Sequence, residues 1–279
     1  MGSQYSPEQD TPYVAVDYES QLSNAQRESA WRIGAGLQAI DGYQPSAYAE
    51  ELMAGQIAGQ TTYQAVVQDL TQYYAANQSE LPALPSRETD ITAVRIAQIV
   101  AEPGFTLSPG SLLAIHGRIF AGIFADERWA GRYRSDAILK KSEAVLGGES
   151  VGYTPGPEIA ATMNWEFSNE KQLAYLPDNP LAGAKHVLDF ISNIWQIHPF
   201  REGNTRALAA YAIKYLKYLG IEIDNEPFEK TAPYFRDALA LKNAPRKLQD
   251  SRPLDLFAMR LVDSSIALPD LRATYPKSP

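Results

Sequence analysis

The chain has 279 residues, 45% hydrophobic and 21% charged, with a net charge of 25 − 33 = −8. That composition describes a globular protein large enough for a substantial core and an appendage, and its acidic balance argues against nucleic acid as a direct ligand. No run is long enough to span a bilayer, the N-terminus lacks the basic-then-apolar order of a leader, and the absence of cysteine removes disulfides and thiolate metal sites. The expectation is a chain with no membrane role that works in the cytoplasm, with delivery into another cell left open.

Residues 1–18 read as a polar arm containing Pro7 and Pro12. From Glu19 the pattern turns helical: Leu22, Ala25, Ser29, Ile33, Leu37 and Ile40 form one continuous stripe, closed by Gly42 and Pro45. A second helix is expected over roughly 46–57. A third starts near Thr61, where the spacing to Gln64 suggests a capping box, and carries Tyr63, Val66, Val67, Leu70 and Tyr74. Residues 19–75 thus form a small three-helix segment. Residues 76–90 are polar with two prolines and read as a linker to a larger unit over 91–270, with 271–279 as a tail.

In the larger unit, 111–124 has the apolar density of a buried helix. Residues 129–159 place Gly147 and Gly148 between short β-prone runs, followed by Pro155 and Pro157, which suggests a hairpin or flap. A helix over 181–198 would turn Val187, Phe190, Ile191, Ile194 and Trp195 inward. Asn204 opens the next helix, which runs through Leu219 and stops at Gly220, and further helices are expected over 227–242 and 254–266. His116 and His186 lie inside apolar helices and read as core or surface-helix residues.

The stretch "HPFREGN" (198–204) lies between two of these helices, in a chain with three histidines. Pro199 and Gly203 make it a turn. Asn204 reads as an N-cap, leaving the first-turn amides of the next helix as unpaired donors, and Gly203 lets a ligand approach that backbone. The positive end of the helix favours an anion, phosphate above all, and Arg206 can add a charge-assisted fork. A carboxylate beside bound phosphates calls for a cation between them, so Glu202 reads as an Mg²⁺ anchor. His198, expected to be partly exposed, can take a proton from an incoming hydroxyl. The plainer reading is a histidine ending a helix before an ordinary Gly-Asn turn.

"HPFREGNTR" (198–206) resembles the signature of the Fic family, His-x-Phe-x-(Asp/Glu)-Gly-Asn-x-Arg. "WAGRYRSDAILKK" (129–141) is similar to a second family segment leading into its flap. The resemblance covers roughly residues 90–270. It implies an all-α Fic-type helical bundle with a small β-hairpin flap, and a protein adenylyltransferase that uses ATP and Mg²⁺ to move AMP onto a Tyr, Ser or Thr hydroxyl of a target protein. Self-modification is a further outcome it implies, and a homo-oligomer is compatible with it. His198 would be the catalytic base, Phe200 a core anchor, and Glu202 the Mg²⁺ ligand. Gly203, Asn204 and Thr205 would line the anion hole, and Arg206 would meet the outer phosphates. Ile138, Lys140, Val151 and Tyr153 in the flap would dock the target by adding a strand to it. Other chemistry on the same fold stays open: UMP transfer, phosphocholine transfer, removal of AMP, or nucleotide binding without turnover.

The chain departs from the family pattern at two places. Thr205 stands where glycine is usual, and Ala209 where many members carry a second arginine that holds the γ-phosphate and pairs with an inhibitory glutamate. Residues 19–75 also resemble, more weakly, the small helical antitoxin of some Fic proteins. The residues that align with its inhibitory motif are Leu37, Asp41 and Gly42, so Asp41 is the inhibitory candidate, one methylene shorter than glutamate and with no second arginine expected to grip it. Glu28 is a lesser candidate, and a purely scaffolding role for the segment is the alternative.

Overall fold

The computed structural model describes residues 17–77, 85–136, 142–173 and 179–275, and the fold is all-α. The N-terminal stripe divides into a 3-10 turn (Glu19–Gln21), helix α1 (Asn24–Gly36) and a second 3-10 turn (Leu37–Asp41) ending at Gly42 with φ 82°. Ser23 caps α1 in a full capping box with Gln26. α1 carries Gly34 and Gly36 because its backbone touches its neighbours directly. A Cβ on Gly34 would lie 2.2 Å from the Ala93 carbonyl, and one on Gly36 would lie 2.2 Å from the Glu229 carbonyl. Two glycines also weaken the last turn of α1, where the chain tightens into the 3-10 turn.

Helices α2 (Ala47–Ile57) and α3 (Tyr63–Ala76) follow. The cap of α3 is Thr62, whose hydroxyl accepts from the Ala65 amide at 3.2 Å; the box expected at Thr61 does not form. Helix α4 runs from Pro85 to Ala101, so Pro85–Asp90, expected to be linker, are already helical. The reason is visible at Asp90, which is fully buried. Its carboxylate accepts from the Ser46 amide (2.8 Å), the Ser46 hydroxyl (2.5 Å) and the Tyr74 hydroxyl (2.6 Å). One side chain therefore ties the start of α2 and the end of α3 to α4, a contact that sequence spacing cannot reveal.

Helices α5 (Pro109–Phe120), α6 (Ile159–Gln172), α7 (Pro180–Ile197) and α8 (Asn204–Tyr218) build the larger unit, followed by α9 (Glu226–Lys230), α10 (Ala232–Lys242), α11 (Arg252–Val262) and α12 (Leu271–Thr274). The helix expected over 227–242 is broken at Thr231, just before Pro233 enters the first turn of α10. α6 was not anticipated. Its inward stripe is short (Ile159, Met163, Phe167, Glu170), and Trp165 and Leu173 beside it face solvent. α8 is the central helix: every residue from Asn204 to Leu216 is buried. Among the described residues no helix is long and apolar enough to cross a membrane.

The expected flap hairpin takes a different form. Among the described residues its β pairing is one isolated antiparallel bridge, Ser142 to Ser150. Between them lie a 3-10 turn at Ala144–Leu146 and two glycines at φ 65° and 92°. Val145 and Leu146 are buried, and that anchoring into the core curls the segment where extended strands were expected. Ile138 and Lys140 lie outside the described residues.

Candidate active site

The chain turns from α7 into α8 at His198, which has φ 54° and ψ 60°. It is the one non-glycine residue with positive φ among the described residues. That conformation costs an L-residue of the order of 1–2 kcal/mol and persists only where surroundings enforce it. Here Arg134 enforces it. Its guanidinium, buried and pointing at backbone oxygens, donates to the carbonyls of His198 (2.7 Å), Asp136 (2.7 Å), Ile197 (3.3 Å) and Thr154, while its amide donates to the Pro199 carbonyl at 2.9 Å.

His198 is 3% exposed, against the expectation of a partly exposed residue. The Tyr153 ring covers it, with centroids 4.2 Å apart, and Trp195 stands 6.1 Å away. Tyr153 thus faces the imidazole. Val151, expected to dock a target, is 1% exposed and packs into the core, so its side chain is withheld from any partner.

Asn204 is not the cap. That position belongs to Gly203, at φ 76°, and Asn204 is the first helical residue. Its buried amide closes the loop from inside, accepting from the Phe200 amide at 2.9 Å and donating to the Phe200 carbonyl at 2.7 Å. Gly203 is required twice over: its φ is left-handed, and a Cβ there would sit 2.3 Å from two ring carbons of Phe120. Thr205 uses its hydroxyl to accept from the Trp195 indole at 3.0 Å. Phe200, expected to anchor the loop, is fully buried.

His116 stacks on Phe200 with centroids 3.7 Å apart, and its role extends beyond packing. The Gly131 amide donates to its Nδ1 at 2.9 Å, which leaves Nε2 as the protonated nitrogen, 3.0 Å from the Glu202 carbonyl. A neutral imidazole therefore bridges the 129–134 segment to the loop. Burial, reinforced by Arg206, pushes its pKa down to about 4, against the smaller opposing effect of the Glu202 carbonyl.

Arg206 is sealed inside. It accepts no solvent on most of its surface (6% exposed) and is surrounded by the N-terminal segment and α4. Nη1 donates to Gln38 Oε1 (3.1 Å) and Thr92 Oγ1 (3.3 Å), and Nη2 donates to Glu88 Oε1 (2.5 Å). Nε lies 3.2 Å from Asp41 Oδ2, an ion pair without hydrogen-bond alignment. The Phe120 face lies 4.9 Å beneath the guanidinium. Asp41 is thus brought against the loop at Arg206. Glu28 is elsewhere, paired with Arg32 on the exposed face of α1.

A second arginine does reach Asp41, contrary to the sequence expectation. Arg236 of α10 places Nη1 3.6 Å from Asp41 Oδ1 and Nη2 3.3 Å from Glu143 Oε2. No local pattern in the sequence marks it, since α10 meets the loop only through the tertiary fold. The resulting cavity is lined by Ile40, Asp41, Glu143, Trp195, His198, Glu202 to Arg206 and Arg236, with free space of about 30 Å³. That accommodates a water or two.

Glu202, on the exposed edge of this cavity, is the residue that could hold a divalent ion. Among the described residues no group of three or more His, Cys, Asp or Glu side chains would hold a metal by itself. One hard carboxylate beside an anion cradle fits Mg²⁺, which typically takes its remaining oxygens from substrate phosphates and water.

Residues 106–216 match the Fic/DOC family model, a span that contains α5, α6, α7 and most of α8. Among solved structures, the chain is similar to the BepC protein of Bartonella tribocorum, a VirB-translocated effector crystallised with bound AMPPNP. The identity is 18% and the TM-score 0.49, over 64% of this chain and 85% of that one. Comparison with the curated proteins finds no match.

Proposed function

We propose, from the match of residues 106–216 to the Fic/DOC family model, that the chain transfers AMP from ATP to a hydroxyl side chain of a target protein, itself included, and that Asp41 holds it at rest. The observation that carries this reading is the loop itself. A left-handed histidine and a glycine-entered helix N-terminus line one cavity, and one acidic residue lies between them in the chain. The first-turn amides of α8 and the positive helix end receive the phosphates, within reach of Arg206 once Asp41 withdraws. Glu202 would hold Mg²⁺, which when bound supplies positive charge against the α- and β-phosphates.

The chemistry asked of the chain's own residues is modest. The target hydroxyl loses its proton to the His198 imidazole as its oxygen bonds to the α-phosphorus, and the bond to the β-phosphate oxygen breaks, releasing pyrophosphate. Arg134 and the Asn204–Phe200 pair keep the imidazole and the amides in fixed relation. Tyr153 covers His198, so the target must displace or slide past that ring. A location in the cytoplasm, with a hydroxyl-bearing protein as partner, is the setting this reaction supports.

Resting inhibition follows from the same contacts. Asp41 joins Arg206 and Arg236 where phosphate oxygens would lie, and Glu88 holds Arg206 from its other side. Removing α1 altogether would uncover the backbone contact of Gly34 on Ala93, so a point substitution is the cleaner probe. Asp41→Ala is expected to raise transfer of α-labelled AMP tenfold to a hundredfold, the scale of losing one or two charge-assisted contacts that compete with nucleotide. Parallel reactions with α-labelled UTP and GTP should leave protein unlabelled. No transfer from ATP by that variant, or equal transfer from UTP, would refute the assignment.

A further inference from the structure

Arg236 has no counterpart in the motif, yet it stands in the cavity with the loop. We propose that Arg236 of α10 is the second phosphate-gripping arginine of this site, supplying from another helix the cation that α8 lacks, with Asp41 keeping its place in the resting chain. The inference rests on the adenylyltransferase reading and adds to it the group that recognises the terminal phosphate.

Three observations carry it. α8 does not provide this cation: position 209 is a fully buried alanine. Arg236 and Arg206 converge on one carboxylate, at 3.6 Å and 3.2 Å, from opposite oxygens of Asp41. A carboxylate bridged by two guanidiniums occupies the position and charge of a phosphate bridged by the same pair. Each arginine also has a second acid behind it: Glu88 pairs with Arg206 at 2.5 Å and Glu143 with Arg236 at 3.3 Å. Withdrawal of Asp41 therefore leaves both arginines held, their inner faces turned to the same empty volume. Glu143 is itself buried and takes a contact from the Tyr153 hydroxyl at 3.5 Å, which ties the Arg236 side of the grip to the ring over His198.

This arrangement separates two roles. The helix N-terminus binds the phosphates nearest the reacting centre, whereas the arginine pair reads the last one. Arg236 should then contribute to ATP and little to AMP. It also explains why an aspartate suffices as the resting occupant, since its shorter side chain meets two arginines from different helices.

The test is calorimetric titration of ATP and AMP, each with Mg²⁺, into Asp41→Ala and into that variant carrying Arg236→Gln. A third variant adds Glu143→Gln to these two changes, so that the charge paired with Arg236 is removed along with it. The expected result is a tenfold to hundredfold loss of ATP affinity in both Arg236→Gln variants with AMP affinity unchanged, as for removal of one hydrogen-bonded charge. Retained AMP binding also reports that the variants are folded. Equal ATP affinity with and without Arg236 would overturn this inference while leaving the adenylyltransferase reading intact. Failure of Asp41→Ala to bind either nucleotide would overturn both.

Discussion

Replacing His198 with asparagine is expected to slow AMP transfer by two to four orders of magnitude, the range attached to a general base. Asparagine is the informative substitution because it tolerates the left-handed backbone that His198 adopts at φ 54°, where alanine would add strain to the loss of the imidazole. The carbonyl that Arg134 holds at 2.7 Å is unchanged by the replacement, so the loop keeps its brace. His198 is buried against Tyr153, and some loss of stability will accompany the loss of that ring contact. For this reason rates should be compared in the Asp41→Ala background alongside melting temperatures. A His198→Asn protein that melts as a folded chain, binds ATP and transfers AMP within a few-fold of its parent would remove the imidazole from the mechanism.

The second large effect is on stability. His116 is buried neutral, with its pKa pushed down to about 4 from the usual 6.5. Between those two values the unfolded chain takes up a proton that the folded chain refuses. Stability from this group is therefore complete above about pH 6.5 and falls as the pH drops toward 4, by about 3 kcal/mol in all. Protonation would also demand that Nδ1 give up the Gly131 amide at 2.9 Å, in the field of Arg206. Urea midpoints of the parent and His116→Gln, measured from pH 7 to pH 4, should converge, because the variant starts less stable but lacks this slope. Parallel curves would show that His116 does not carry the charge penalty described here.

Much of the site was legible in the sequence because it is local. The spacing of His198, Glu202, Gly203 and Arg206 sits within nine consecutive residues, and a turn between two strongly periodic helices exposes it. The helices α7 and α8 were legible for the same reason, since Val187, Phe190, Ile191, Ile194 and Trp195 repeat at helical spacing and are all buried. What escaped was carried by contacts between distant segments. Asp90 turns an expected linker into the start of α4 by binding Ser46 and Tyr74, and Arg236 reaches Asp41 across nearly two hundred residues of sequence. Asn204 reads as a cap in the sequence because a cap and a first-turn residue look alike in one dimension; only the left-handed Gly203 beside it distinguishes them. His116 read as core, and is core, but its two ring nitrogens join segments that the sequence does not bring together.

The N-terminal segment also contributes to the candidate site. Gln38 and Asp41 of the 3-10 turn after α1 both contact Arg206. Backbone packing of Gly34 on Ala93 holds α1, which leads into that turn, against α4.

The most direct measurement is a crystal structure of the Asp41→Ala protein grown with Mg²⁺ and a non-hydrolysable ATP analogue. Triphosphate density is expected against the first turn of α8, with the α-phosphorus facing the His198 imidazole and a cation at Glu202. A nucleotide bound elsewhere, or a vacant loop with Arg206 still enclosed by Gln38, Glu88 and Thr92 at saturating analogue, would contradict it.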